Sequence, residues 1–182
     1  MNWRNSNDRY GSLSIGLHWF MLVLIAAVYA LMELRDIFPK GSDGRELMKS
    51  FHYMLGLSVL VLASLRLVVS LSSPSPRILP EPPAMQKAVA KLMHVALYAL
   101  MIGMPLLGWL TLSAEGDPIP FFGLQVPPLI GPNEGLKETI EEIHKTFGTV
   151  GYFLIGLHAA AALFHHYFVR DNTLERMLPG SK

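Results

Sequence analysis

Seven histidines are the residues of this sequence whose type and spacing could do chemistry. Each lies in or at the edge of a long apolar segment. Ionisable side chains are costly in such segments, so they usually face the interior and have a partner or a function. Any single one could form only an interhelical hydrogen bond, but the whole set indicates a site for a metal-bearing cofactor. The seven are His18, His52, His94, His144, His158, His165 and His166.

The spacing of the histidines predicts two sites at two depths. His144 and His158 are fourteen residues apart, which is almost four helical turns, so on a helix they share one face about 21 Å apart along the axis. His52 opens another apolar segment at the level of His144, and these two can form an outer pair. On the inner side His158 could pair with His18 or with His94, and spacing alone leaves both open.

Haem fits this pattern better than a bare metal ion. Cysteine is absent, which excludes iron–sulfur clusters and covalent haem attachment. Bare zinc or iron sites in helical bundles commonly add carboxylates or closely spaced ligands. We therefore predict two b-type haems, and two axial imidazoles on each iron would confine the chemistry to outer-sphere electron transfer. Small residues could admit the porphyrin or serve close helix packing: Gly16, Gly56, Gly148, Gly151, Gly156 and 159–162.

Four apolar segments must position these histidines. The chain of 182 residues is 51% hydrophobic and 16% charged, which is too apolar for an ordinary soluble domain. The segments lie at about 14–34, 50–71, 86–113 and 145–169, and each approaches the roughly 20 residues that cross a bilayer as a helix. No alternating strand pattern is visible. The sequence predicts an all-α fold, a four-helix transmembrane bundle forming a single membrane-embedded domain over residues 1–182.

Proline-rich stretches mark the longer connections, since proline interrupts helices. One closes the second segment, and another fills a connection of about thirty residues before the fourth. Within the latter, Leu136, Ile140 and Ile143 recur at helical spacing among charged residues. That pattern favours an interfacial amphipathic turn or an early start to the fourth helix.

Charge distribution predicts the orientation. The net charge of +1 and the absence of a basic run argue against nucleic-acid binding. With four spans, nine basic residues share the side of the termini, against six on the other side, which places both termini in the cytoplasm. The nine are Arg4, Arg9, Arg66, Arg77, Lys87, Lys91, Arg170, Arg176 and Lys182; the six are Arg35, Lys40, Arg45, Lys49, Lys137 and Lys145.

Four features carry a family resemblance over almost the entire chain. They are Gly-Leu-His-Trp at 16–19, Met-Glu-Leu-Arg-Asp at 32–36, His52 followed by Gly56, and the long motif from Gly151 through the Ala run at 159–162 to Asp-Asn-Thr-Leu at 171–174. Together they resemble the bacterial cytochrome b561 family. The resemblance implies a multi-pass inner-membrane cytochrome. It also implies that His18 and His158 ligate the inner haem, and His52 and His144 the outer haem.

The likeness extends to diheme members of that family that oxidise superoxide at the periplasmic side, release O2 and reduce ubiquinone. It implies an oxidoreductase whose partners are superoxide, quinone and the lipid bilayer, and it identifies no protein partner. Since superoxide is an anion, cations near the outer ligands would steer it, and Arg35, Lys49 and Lys145 are the candidates. The same side carries ten carboxylates, so a solvated surface of mixed charge is the alternative.

His165 is the candidate quinone ligand. It lies seven residues beyond His158, almost two turns, on the same face and nearer the cytoplasmic interface, where a quinone headgroup could accept its hydrogen bond. The alternative is a bond to lipid headgroups or to a haem propionate.

Two other functions compete with superoxide oxidation. The protein could be an electron conduit between a docked dehydrogenase or hydrogenase subunit and the quinone pool. It could also be a haem-free membrane protein whose histidines bind or relay protons. No nucleophile elbow or phosphate-binding glycine loop points to catalysis by the polypeptide itself.

Overall fold

Four long helices make up the computed structural model, which describes residues 3–180. They are α1 (Ser12–Leu34), α2 (Asp43–Leu71), α3 (Ala84–Glu115) and α4 (Glu134–Phe164). Each contains a stretch long and apolar enough to cross a membrane, with mean hydropathy between 1.6 and 2.2. The prediction of an all-α, four-helix transmembrane protein is confirmed. Lys182, one of the basic residues used to predict the orientation, lies outside the described residues.

Helices α2 and α4 begin earlier than their apolar segments. α2 starts at Asp43, and the acidic residues Asp43 and Glu46 in its first turn interact favourably with the positive end of the helix dipole. α4 starts at Glu134, where the side chain of Asn133 accepts a hydrogen bond from the Leu136 amide at 3.1 Å. Of the two interpretations of the amphipathic segment, the early helix start is therefore the correct one. Hydropathy identifies the part of a helix that can cross the membrane, but it does not identify polar helical residues that precede that part.

Close backbone packing in the described part of the chain joins α1 to α2, α2 to α3 and α3 to α4. A buried cluster lies where the first three helices meet. The outward faces stay apolar and exposed, with Phe20, Val61, Leu92 and Phe153 among the exposed side chains. Such faces suit lipid, which explains why a chain with so small a core can be so hydrophobic. The cluster consists of Met21, Leu24, Val59, Ala63 and Met101.

A short hairpin folds over one end of α2 and α3. Its strands, β1 (Pro120–Phe121) and β2 (Leu124–Gln125), pair antiparallel within the 116–133 connection. Ile119 is 2% exposed and packs with Leu57 and Leu112. The sequence predicted no strands, and these pairs of residues are too short to produce an alternating pattern.

The two terminal segments meet at the opposite end of the bundle. After α4 the chain forms a π-helical turn over His165–Val169 and a 3-10 turn over Glu175–Met177. The Trp19 indole donates to the Met177 carbonyl at 2.8 Å, and the Arg176 guanidinium donates to the Pro76 carbonyl. These bonds fasten the end of the chain to α1 and to the connection between α2 and α3.

Gly151 leaves space on α4 for the side chain of Tyr29 from α1, and this contact gives the first prediction. A Cβ at Gly151 would overlap the hydroxyl of Tyr29, which donates to the Gly148 carbonyl at 2.9 Å. Gly151→Ala should therefore destabilise the protein by about 1 to 3 kcal/mol, the usual cost of overpacking. Thermal unfolding in detergent should show part of that loss recovered in Gly151→Ala/Tyr29→Phe, because the second change removes the overlapping oxygen. If the double variant is as unstable as the sum of its two single variants, this contact is not the cause.

Candidate functional site

His52 and His144 meet across the bundle. His52 projects from α2 and His144 from α4, and their ring centres are 6.3 Å apart with the planes 72° apart. Nδ1 of His52 lies 3.0 Å from the Val28 carbonyl of α1. A carbonyl only accepts, so Nδ1 carries the proton and Nε2 keeps a free lone pair. This is the arrangement typical of metal-binding histidines, whose second nitrogen donates to a neighbouring group.

Gly108 lets α3 lie close to the other ring of this outer pair. A Cβ added at Gly108 would stand 3.3 Å from Cε1 of His144, which is tighter than ordinary van der Waals contact. The His144 ring is thus held between its own helix and α3. Its position depends on the packing of α3 against α4, the closest helix pair in the bundle.

His18, His94 and His158 meet in the other half of the bundle. His18 from α1 and His158 from α4 have ring centres 6.2 Å apart, whereas His94 from α3 and His158 are 5.7 Å apart. Nδ1 of His94 donates to the Ala90 carbonyl of its own helix at 2.7 Å, and His94 is more exposed than the other two. Nδ1 of His18 is buried, and no hydrogen-bond partner for it exists within residues 3–180.

The ring separations fit two imidazoles on one metal ion. Two metal–nitrogen bonds of about 2 Å, plus about 1 Å from each nitrogen to its ring centre, separate the centres by about 6 Å. The two α4 pairs, at 6.3 Å and 6.2 Å, both meet this requirement. No group of three His, Asp or Glu side chains that could hold a bare metal ion occurs in the described part of the chain. Two imidazoles per site is instead the donor set of a six-coordinate b-type haem.

α4 stands apart from α1 and α2, whose histidines face it. Neither helix is in close backbone contact with α4 along the described chain, whereas His94 faces His158 from the closely packed α3. Gly16, Gly56 and Gly156 each face open space where a Cβ would stand. Two other glycines of the predicted set pack against side chains, Gly148 on Met104 and Gly151 on Tyr29. The predicted small-residue set therefore divides into open positions near the histidines and helix-packing positions.

The three cations predicted for the outer mouth have different surroundings. Lys49 lies 2.9 Å from Glu46, and Lys145 lies 2.5 Å from Glu141. The pair formed by Arg35 and Asp36 is longer, at 3.8 Å. Nε of Arg35 is also buried with no hydrogen-bond partner among residues 3–180. Each lysine therefore has a carboxylate one turn before it, and Arg35 keeps the least compensated charge.

Arg45 accounts for the weak pairing of Arg35. Its guanidinium lies 2.7 Å from Asp36 and also donates to the backbone carbonyls of Arg35 and Phe38, at 3.5 and 3.3 Å. Since Asp36 is held by Arg45, it offers less compensation to Arg35. Arg45 thus fixes the short turn that follows α1, and sequence reasoning gave it no such role.

His165 takes part in a hydrogen-bonded chain of three side chains. Its Nδ1 donates to Oδ2 of Asp171 at 2.5 Å, and the Gln86 amide of α3 donates to its Nε2 at 2.9 Å. The Asp171 side chain is 1% exposed. Burial alone would raise the pKa of Asp171, but the hydrogen bonds from His165 and Thr173 outweigh it and hold that pKa below its usual value. Neither Asp171 nor Gln86 was singled out from the sequence, because helical spacing does not register a contact made after the helix ends.

Comparisons with known proteins agree with this donor set. The family model for prokaryotic cytochrome b561 matches residues 9–180. Cytochrome b561 homolog 1 of Escherichia coli (strain K12) is 45% identical over 175 residues, which cover 96% of this chain and 99% of that protein. The probable superoxide oxidase CybB of Yersinia pestis is 37% identical over 173 residues, covering 95% of this chain and 97% of that protein. Cytochrome b561 homolog 2 of Escherichia coli (strain K12) is 27% identical over 179 residues, covering 98% of this chain and 95% of that protein.

The matched region contains all four transmembrane helices and every histidine described above. Together with the membrane-spanning helices and the paired imidazoles, it identifies the class of protein. This chain belongs to the prokaryotic cytochrome b561 family, membrane electron-transfer proteins that bind b-type haem.

Proposed function

We propose that this protein is a superoxide:quinone oxidoreductase of the bacterial inner membrane that carries two b-type haems. Two superoxide ions give up one electron each and leave as O2. The two electrons and two protons convert one ubiquinone to ubiquinol. The observation that carries the proposal is the presence of two histidine pairs at two depths on one helix, both with the ring separation that one iron requires. The superoxide oxidase name of the Yersinia pestis relative supports the choice of donor.

The proposed ligands are His52 and His144 for the outer haem, and His18 and His158 for the inner one. Each haem, when bound, supplies a carrier for one electron. His18 and His94 both stand near the required separation from His158, at 6.2 and 5.7 Å, so the choice of His18 as the inner ligand rests on the family resemblance. Both termini then lie in the cytoplasm and the outer pair near the periplasm.

His165 is the proposed contact for the quinone headgroup on the cytoplasmic side. Asp171 holds the ring with Nδ1 protonated, so Nε2 is the nitrogen that faces other groups. The Gln86 amide now donates to Nε2. A hydroxyl of the reduced quinone headgroup could donate to the same nitrogen in place of that amide.

A second candidate function rests on the pairing of the outer lysines. Because Lys49 and Lys145 each have a carboxylate partner, the outer surface is less electropositive than the count of basic residues suggests. A mixed surface of this kind suits a docked protein donor. In that alternative the protein conducts electrons from a dehydrogenase or hydrogenase subunit to the quinone.

Haem stoichiometry tests the ligand assignment. Pyridine haemochrome analysis of purified protein should give a haem-to-protein ratio near two, because the described histidines form two pairs. His52→Ala or His144→Ala should remove mainly the outer haem, and His18→Ala or His158→Ala the inner one. His94→Ala should keep both. Loss of haem in His94→Ala together with retention in His18→Ala would make His94 the inner ligand.

Ionic strength tests superoxide as the donor. Superoxide-driven haem reduction should slow as salt rises, since salt screens the field over about 8 to 10 Å. Arg35→Gln, Lys49→Gln and Lys145→Gln should each lower the rate a few-fold while haem content stays unchanged. The largest effect is expected for Arg35, which has the weakest ion pair. Lys87→Gln, at the opposite end of the bundle, is the matched control and should have no effect.

A rate no faster than that of free haem in detergent, and insensitive to salt, would remove superoxide as the donor. The conduit alternative then predicts co-purification of a soluble subunit. Loss of haem from the Arg35, Lys49 or Lys145 variants would instead show that these side chains hold the cofactor.

Quinone-driven reoxidation tests His165. In His165→Leu the reduced haems should be reoxidised by a soluble quinone at a clearly lower rate with haem content intact, because the headgroup loses its hydrogen-bond partner. His166→Leu is the matched control, since His166 contacts Tyr167 and does not belong to the Asp171 chain. Equal reoxidation rates in wild type and His165→Leu would place the quinone elsewhere.

A further inference from the structure

Arg66 occupies a position on α2 that corresponds to His158 on α4. It lies fourteen residues after His52, just as His158 lies fourteen residues after His144. Fourteen residues are almost four turns, so each pair shares a helix face at two depths about 21 Å apart. The outer level therefore has one histidine from each helix, whereas the inner level has a histidine from α4 and an arginine from α2.

The Arg66 side chain faces the inner cavity. That cavity is lined by His18, His94, His158 and Tyr98, with apolar side chains around them. The guanidinium carbon stands 5.9 Å from the centre of the Tyr98 ring. Arg66 is half-buried and is close enough to interact electrostatically with His18 and His158. It was counted from the sequence among the cytoplasmic charges, but it lies within the helix.

The Arg66 guanidinium lacks a counter-ion among the residues that the structure describes. None of the ion pairs formed within residues 3–180 includes Arg66. An arginine in a membrane-spanning helix is costly unless an anion or several acceptors surround it. The side chains that line the cavity with it are imidazole, phenol and hydrocarbon, and none carries negative charge at neutral pH. The structure thus presents a positive group for which the cavity lining within residues 3–180 supplies no anion.

The cofactor proposed for this cavity brings such a partner. Haem b carries two propionate carboxylates, and the planar guanidinium of arginine binds carboxylates through paired hydrogen bonds. A quinone headgroup is neutral, and superoxide is proposed to arrive at the other end of the bundle. We propose that Arg66 binds a propionate of the inner haem and thereby raises the reduction potential of that haem. This inference rests on the haem assignment of the proposed function and is independent of the electron donor and acceptor.

The effect on potential follows from the charges. Reduction adds one electron to the haem, so a nearby positive charge stabilises the reduced form more than the oxidised form. The effect is stronger inside a low-dielectric bundle than in water. Removing Arg66 would leave the negative charge of the propionate uncompensated. That charge would further destabilise the reduced haem relative to the oxidised haem. The inner haem should then accept electrons less readily. The outer haem should change little, because its proposed ligand His52 stands about 21 Å from Arg66 along α2.

Redox titration of purified, haem-loaded protein with mediators, followed optically, tests this proposal. Arg66→Met keeps an unbranched side chain, although a shorter one, and removes the charge. It should shift one midpoint potential downward, and the haem affected should be the one lost in His158→Ala. Arg66→Lys keeps the charge and should retain most of the wild-type potential. Arg77→Met is the matched control, since Arg77 is exposed in the connection after α2, and it should leave both potentials unchanged.

Each result of the titration either supports or overturns the proposed contact between Arg66 and a haem propionate. A lowered inner potential in Arg66→Met that is restored in Arg66→Lys supports the proposal, as does selective loss of the inner haem in Arg66→Met with retention in Arg66→Lys. Unchanged potentials with both haems retained would overturn it. Equal shifts of both haems would overturn it as well. Because the titration uses neither superoxide nor quinone, its result stands whether or not the superoxide activity is found.

Discussion

The requirement on which this structure depends is that imidazoles from different helices must stand about 6 Å apart inside a lipid-facing bundle. A histidine in hydrocarbon needs a partner, and a partner that is a metal ion fixes the separation of the two rings. The helices that carry the proposed ligand pairs therefore do not pack backbone to backbone in this bundle. The bundle satisfies this by joining α1 to α2, α2 to α3 and α3 to α4 closely, which leaves α4 separated from α1 and α2. The rings of His158 and His144 face into those wider spaces.

Periodicity and hydropathy predicted the helices and the meeting of the outer histidines because both follow from local rules. A span must be apolar over about 20 residues, and fourteen residues bring side chains back to one helix face. The same rules left His18 and His94 as alternatives for pairing with His158. The structure places both within reach of His158, at 6.2 and 5.7 Å. The ambiguity seen in the sequence is thus also present in the fold, and ligand substitution is the experiment that resolves it.

The features that sequence reasoning missed depend on contacts outside the helical repeat. Asp171 reaches His165 only because α4 ends in a π-helical turn and the chain reverses at Arg170, which has a φ of 58°. Gln86 reaches the same ring from another helix. The first residues of α4 are as polar as a loop, so hydropathy did not reveal that the helix begins there. The signal is the hydrogen bond from the Leu136 amide to the capping side chain of Asn133. Tertiary contacts and capping, which hydropathy does not measure, decide all three.

The outer lysines and Arg66 differ in how their positive charge is compensated. At the outer end Lys49 and Lys145 are paired with carboxylates of their own helices, so their positive charge is largely balanced before any ligand arrives. In the inner cavity Arg66 has no carboxylate partner within the described chain, although it lies in a membrane-spanning helix. Balanced charges on the outer lysines and an unbalanced charge in the inner cavity favour an anion supplied by a bound group. If that group is the haem proposed for this cavity, the charge of Arg66 would favour movement of an electron from the outer level of the bundle to the inner one.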